Sequence, residues 1–258
     1  MKEMRYVDLV ATTTLHLVIV EPGTIEPQGY GSGVLAVYRN RLFLLSVAHV
    51  TDLDGMQTAI ETNLPSDANG SSLYGVESMC YFHQYPIPEN MNAEQGIDID
   101  KLLAAPGKRL DITFGEITES VVLLQPEWDF EAFKIEAGRK NMVYLDQISS
   151  STLSRDREYS FIGRVRQQVN GKYLQSQVTS QFGMKYHGME GMFHRFLVST
   201  IIKDADDYRG CSGAPIYDDS GNLVGLACMV RENTKRLYAF PIEECRRLLD
   251  IAIDTKMV

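Results

Sequence analysis

Tyr208-Arg209-Gly210-Cys211-Ser212-Gly213-Ala214-Pro215-Ile216 is a serine set between glycines at the start of an apolar run. Glycine reaches backbone angles that other residues avoid. A serine between glycines can therefore sit on a sharp turn, its hydroxyl exposed and neighbouring backbone N–H groups aimed inward. Converging N–H groups are what a developing oxyanion needs. A plain Gly-rich turn before a strand is the alternative, and it accounts poorly for so specific a string.

A serine hydroxyl is a weak nucleophile without a base, and two upstream patterns supply candidates. Leu44-Leu45-Ser46-Val47-Ala48-His49-Val50 places a histidine after an apolar run. The small Ser46 and Ala48 allow close backbone approach and put the imidazole at a cleft edge. Leu110-Asp111-Ile112-Thr113-Phe114 carries an aspartate within apolar residues. That placement is costly unless the charge is hydrogen-bonded. A carboxylate accepting from the imidazole Nδ1–H would fix its tautomer and stabilise the imidazolium. Asp98 and Asp100 are rivals, in a segment that reads as loop or helix cap. Chain order discriminates among serine hydrolases. The α/β-hydrolases place histidine after serine, whereas the last histidine here is His194. The subtilisin order needs an aspartate before the histidine, and Asp8 has no glycine-rich neighbourhood. His–Asp–Ser remains.

Short β-runs surround these motifs. Strands are predicted over 15–20, 34–38, 42–46, 110–117, 142–145, 159–165, 174–179, 195–202, 214–217, 223–230 and 236–240, with Arg39-Asn40 as a hairpin turn. An apolar face over 242–253, opening on Glu243-Glu244, predicts one C-terminal helix. The Pro-punctuated stretch 85–109 reads as a long surface loop. Many short strands and one terminal helix predict closed β-barrels.

Gly31-Ser32-Gly33, Ala48-His49, Asp111-Ile112-Thr113, Gly210-Cys211-Ser212-Gly213-Ala214-Pro215, Val224-Gly225-Leu226 and Ala239-Phe240-Pro241-Ile242 together resemble the trypsin-like (chymotrypsin-fold) serine peptidase superfamily, with its bacterial stand-alone members. The resemblance implies an all-β fold of two six-stranded antiparallel barrels with a cleft between them. Residues 1–130 would form the lobe carrying His49 and Asp111, and 131–258 the lobe carrying Ser212 and the terminal helix. It further implies that Ser212 attacks a scissile carbonyl, His49 relays the proton, Asp111 holds His49, and the N–H groups of Gly210 and Ser212 bind the oxyanion. Asp206, six residues before Ser212, falls at the pocket floor, with Cys228-Met229-Val230 as the wall. A carboxylate there would select Arg or Lys before the scissile bond. The alternative is that Asp204, Asp206 and Asp207 form a solvated acidic loop, and Val230, where trypsins carry glycine, would narrow the entrance. Cys211 stands where trypsin zymogens carry an aspartate. Activation by N-terminal trimming is therefore not expected, and control falls to a loop or an activating partner. Viral cysteine relatives place the thiol in the serine's own position, so Cys211 is expected to be structural.

The expected partner is a protein or peptide substrate, and the expected activity is serine endopeptidase. A peptide-binding pseudoprotease and an esterase are the alternatives. The net charge of −9 argues against nucleic acid. No apolar run is long enough to cross a bilayer, and the first residues do not read as a secretory signal. Four widely spaced cysteines without a CxxC pair read as reduced thiols and point to the cytoplasm. Neither HExxH nor clustered Cys/His occurs, so neither metal nor cofactor is expected.

Overall fold

The computed structural model describes residues 6–24, 26–64, 72–85, 107–130, 133–148, 153–170 and 173–258. A helix α1 (Tyr6–Thr13) runs directly into β1 (Thr14–Val20), every residue of which is buried. β1 pairs antiparallel with β2 (Pro27–Tyr38), which turns into β3 (Arg41–Ser46). Arg39 and Asn40 form that turn, with φ of 47° and 60°. Two left-handed residues are what a two-residue hairpin matched to strand twist requires. One turn of helix, α2 (Ala48–Thr51), follows. Then come β4 (Gln57–Glu61), β5 (Leu73–Gly75), β6 (Cys80–Gln84) and β7 (Lys108–Glu116).

Two small hairpins join the lobes. One pairs β8 (Leu124–Gln125) with β11 (Gly138–Arg139), and inside it β9 (Trp128–Phe130) pairs with β10 (Phe133–Ile135). β12 (Val143–Tyr144) then lies parallel on β2. Here the predicted strand over 142–145 is shorter than expected, because Leu145–Gln147 turns into a 3-10 helix that buries Leu145.

The second lobe is a closed antiparallel barrel of β13 (Tyr159–Asn170), β14 (Tyr173–Glu190), β15 (Phe193–Ile202), β18 (Thr234–Pro241), β17 (Leu223–Val230) and β16 (Pro215–Asp218), in that spatial order. Tyr159, Phe161, Phe196, Ile216 and Ala239 fill it. The first lobe is an eight-stranded sheet ordered β5-β4-β1-β2-β3-β7-β6, with β12 beside β2. The fold is thus all-β and two-lobed, as expected. Unlike the second barrel, the first sheet is not closed by a β5–β6 ladder among the described residues. Of the predicted loop over 85–109, residues 86–106 lie outside the described residues, as do Asp98 and Asp100, and 108–109 already belong to β7.

α3 (Ile242–Asp254) ends the fold, burying Ile242, Cys245, Leu248, Leu249 and Ala252 on one face. Those side chains share a core with Phe43, Leu45 and Phe114 of the first sheet and Leu226 and Phe240 of the barrel, so apolar packing is continuous between the lobes. On the other side of α3, Tyr38 donates to Asp250 at 2.8 Å and Arg39 to Asp254 at 2.7 Å. The helix is thereby fastened to the β2–β3 hairpin.

Candidate active site

Strand register brings His49 to Asp111. β3 and β7 are antiparallel with Ser46 opposite Thr113. Continuing beyond the last pair carries the chain after Ser46 toward the residues before Thr113. α2 then lifts His49 out of the sheet, and its side chain stays 44% exposed. The His49 Nδ1 lies 2.9 Å from each Asp111 carboxylate oxygen, and the His49 backbone N–H donates to Oδ1 at 3.1 Å. With Nδ1–H held by a carboxylate, Nε2 is the nitrogen left to take up a proton. Burial on its own raises the Asp111 pKa. The His49 ring, its backbone N–H and the nearby Arg109 charge outweigh that and hold the carboxyl below its usual range.

Ser212 sits in the turn that enters β16. Both flanking glycines are required there. Gly213 has φ of +90°, and a Cβ on it would lie 1.9 Å from the Ser32 carbonyl oxygen and 2.6 Å from Ser46 Oγ. Gly210 has φ of +105°, and a Cβ on it would lie 2.3 Å from the Arg164 carbonyl oxygen. The contact between Gly213 and Ser46 places the serine turn against the strand end that leads to His49. The turn is also tied to β17: Gly213 N–H donates to the Ala227 carbonyl at 2.7 Å, and Ala227 N–H to the Ala214 carbonyl at 2.8 Å.

The Ser212 hydroxyl donates to the Cys228 carbonyl at 3.1 Å. Among the described residues no hydrogen bond joins Ser212 to His49, and catalytic hydrogen bonds in free enzymes often tighten only when substrate binds. Among the described residues, neither the Gly210 nor the Ser212 N–H is donated to a backbone carbonyl.

A cavity of about 290 Å³ opens beside Ser212. All four residues predicted for substrate binding line it: Asp206, Cys228, Met229 and Val230. Sequence reasoning missed Phe161, Tyr208, Arg209, Ala227 and Leu237. Phe161 and Leu237 come from β13 and β18, brought to the cavity by barrel closure, which leaves no local signal. Asp206 is exposed on a 3-10 turn (Ala205–Tyr208), whereas its neighbour Asp207 pairs with Arg166 at 2.7 Å.

Cys211 is 3% exposed, with its Sγ against Gly163, where a Cβ would come within 2.7 Å. Burial pushes its thiol pKa far up. The thiolate that sulfur nucleophiles need is disfavoured there, which fits a packing role.

No protein-family model matches the sequence, and no curated protein matches it. Solved structures do. The serine endoprotease from Yersinia pestis superposes with a TM-score of 0.51 at 13% identity, over 98% of this chain and 68% of that one. Human heparin binding protein superposes with a TM-score of 0.52 at 10% identity, over 98% and 95%. An atomic-resolution structure of HBP gives 0.55 at 11%, over 98% and 95%. This chain has the trypsin-like peptidase fold. Within that trypsin-like fold, His49 and Asp111 project from the first sheet and Ser212 from the entry to the barrel's β16, so the residues singled out in the sequence gather at the join between the lobes.

Proposed function

We propose that the protein is a serine endopeptidase in which Ser212 is the nucleophile, His49 the general base and Asp111 its orienting acid. The observation that carries this reading is the three-point grip of Asp111 on His49, beside a serine turn that two positive-φ glycines make. Ser212 Oγ attacks the scissile carbonyl carbon while its proton passes to His49 Nε2. The oxyanion is met by the N–H groups of Gly210 and Ser212. Collapse breaks the C–N bond, His49 returns the proton to the leaving amine, and an acyl ester stays on Ser212. Water then attacks that ester by the same route in reverse.

The cavity beside Ser212 suggests which residue precedes the scissile bond. Phe161, Tyr208, Ala227, Val230 and Leu237 make apolar walls. Asp206 is exposed to water, where its pull on a cation is screened. An apolar side chain is therefore favoured over Arg or Lys.

A second reading, a peptide-binding module without turnover, is favoured by the Ser212 hydroxyl resting on the Cys228 carbonyl. Fluorophosphonate labelling separates the two. Folded wild type should label and Ser212→Ala should not. Folded wild type that stays unlabelled overturns the peptidase reading.

A further inference from the structure

Ser32 lies on β2 in the first lobe and is 1% exposed, yet its polar atoms are committed to the nucleophile turn of the second lobe. Its hydroxyl donates to the Gly210 carbonyl at 2.7 Å, across 178 residues of chain. Its backbone N–H donates to the Ser212 carbonyl at 2.8 Å. Its own carbonyl accepts from Ser46 Oγ at 2.7 Å, three residues before His49. A relay Ser46–Ser32–Gly210/Ser212 thus runs from the strand end that carries the base to the turn that carries the nucleophile.

Peptide planarity gives this relay its consequence. The Gly210 carbonyl belongs to the rigid 210–211 peptide plane and the Ser212 carbonyl to the 212–213 plane. Ser32 holds both. The plane between them, 211–212, carries the Ser212 N–H. The N–H of the 210–211 plane, that of Cys211, donates to the Tyr208 carbonyl at 2.9 Å, so this plane hangs on that bond and on the Ser32 hydroxyl. Without the hydroxyl, the buried Gly210 carbonyl has lost a partner and gains by rotating toward water in the cleft.

We infer that Ser32 is a positioning residue: its hydroxyl holds the 210–212 backbone in the orientation that leaves the Ser212 N–H open to the oxyanion. The inference rests on the serine-peptidase reading above. Its reach is set by geometry, since a misplacement of about 1 Å at a reacting group costs roughly 10²-fold in rate.

The test compares Ser32→Ala and Ser32→Thr with wild type in two ways. In fluorophosphonate kinetics, Ser32→Ala should lower the maximal labelling rate about 10²-fold with little change in the half-saturating probe concentration, and Ser32→Thr, which keeps a hydroxyl, should recover part of the loss. In amide hydrogen exchange, peptides covering 209–213 should exchange faster in Ser32→Ala while those from β13 and β17 stay as in wild type. If Ser32→Ala proves too unstable to purify, Ser46→Ala loosens the same relay one step back and should shift exchange at 209–213 in the same direction. Wild-type labelling rates and exchange in Ser32→Ala overturn the inference and leave the peptidase reading standing. If wild type itself does not label, the peptidase reading fails. The exchange arm still decides: faster exchange confined to 209–213 upholds the hold of Ser32 on the turn, and unchanged exchange refutes it.

Discussion

Replacing Glu61 by glutamine should destabilise the protein by about 3–4 kcal/mol, the scale for stripping one partner from a buried ion pair. Glu61 ends β4 and faces three groups from separate segments, His16, Arg164 and Lys140. It accepts from His16 Nδ1 at 3.1 Å and pairs with Arg164 of the barrel, which also donates to Asn63 at 3.2 Å. Lys140 lies close by, its Nζ donating to the carbonyls of Ala11 and Thr14 at 3.0 and 2.6 Å and to Gln125 Oε1 at 2.6 Å. The indole of Trp128 lies 5.1 Å from Lys140 Nζ and 5.8 Å from the Arg164 guanidinium carbon. The side chains of Arg164 and Glu61 are only 13% and 16% exposed.

Two unit charges about 4 Å apart attract by about 4 kcal/mol at an effective dielectric of about 20, which agrees with the figure above. Glutamine keeps the shape and can still accept a hydrogen bond, but leaves the largely buried Arg164 guanidinium without its carboxylate partner. Urea unfolding followed by fluorescence of Trp128, the single tryptophan, measures the loss, with circular dichroism as the second probe. The melting temperature should fall by roughly 6–16 °C, at about 2–4 °C per kcal/mol for a chain of this size. Arg164→Met should cost much less in the Glu61→Gln background than alone. A loss below about 1 kcal/mol, the worth of an exposed pair, would refute the view that this network holds the lobes together.

Acidity adds a sign. Burial raises the Glu61 carboxyl, but His16, Arg164 and Lys140 outweigh it and its folded pKa lies below the unfolded one. The pair's contribution is therefore full above a pH of about 4.3 and is lost as pH falls through the folded value. Burial lowers the His16 pKa, so stability also declines as pH drops below about 6.5. Because Glu61 raises the His16 pKa, the gap between wild type and Glu61→Gln should widen as pH falls below about 6.5 and narrow below about 4.

Asp111→Asn should lower the fluorophosphonate labelling rate about 10⁴-fold with the fold retained by circular dichroism. A fall below tenfold would remove Asp111 from its assigned role. All four cysteines are buried, and burial raises the pKa of each. Ellman's reagent should therefore react slowly with the native protein and promptly with four thiols in denaturant. Rapid modification of Cys211 in the native state would contradict its packing role.

The strands legible in the sequence were those with local signals. The strand predicted over 223–230 coincides with β17, and the Arg39-Asn40 turn lies where the sequence places it. Asp111 stood out because a carboxylate in an apolar run needs a partner, and His49 is that partner. α1 carries no local helix signal, because the run Thr12-Thr13-Thr14 at its end consists of weak helix formers. In the structure their hydroxyls donate back to the carbonyls of Asp8, Leu9 and Val10 at 2.7–2.8 Å, and Tyr217 of the barrel donates to Thr13 at 2.8 Å. Tertiary contacts sustain a helix that local propensity does not favour. β4, β5 and β6 are short and carry no clean alternation. The network of His16, Glu61, Lys140 and Arg164 joins residues from four separate segments, so no window of sequence contains it.

The terminal helices have a kinetic consequence. α1 leads into the first sheet but leans on the barrel, where Tyr6 donates to the Tyr217 carbonyl across 211 residues. α3 follows the barrel but is fastened to the first hairpin by Tyr38 and Arg39, across 212 and 215 residues. Contacts of such long sequence separation form late, because the loop they close must be ordered first. A chain emerging from the ribosome has its first sheet long before either helix has its partner. The α3 clasp forms only after Asp254 has left the ribosome, so the join between the lobes is set late in folding.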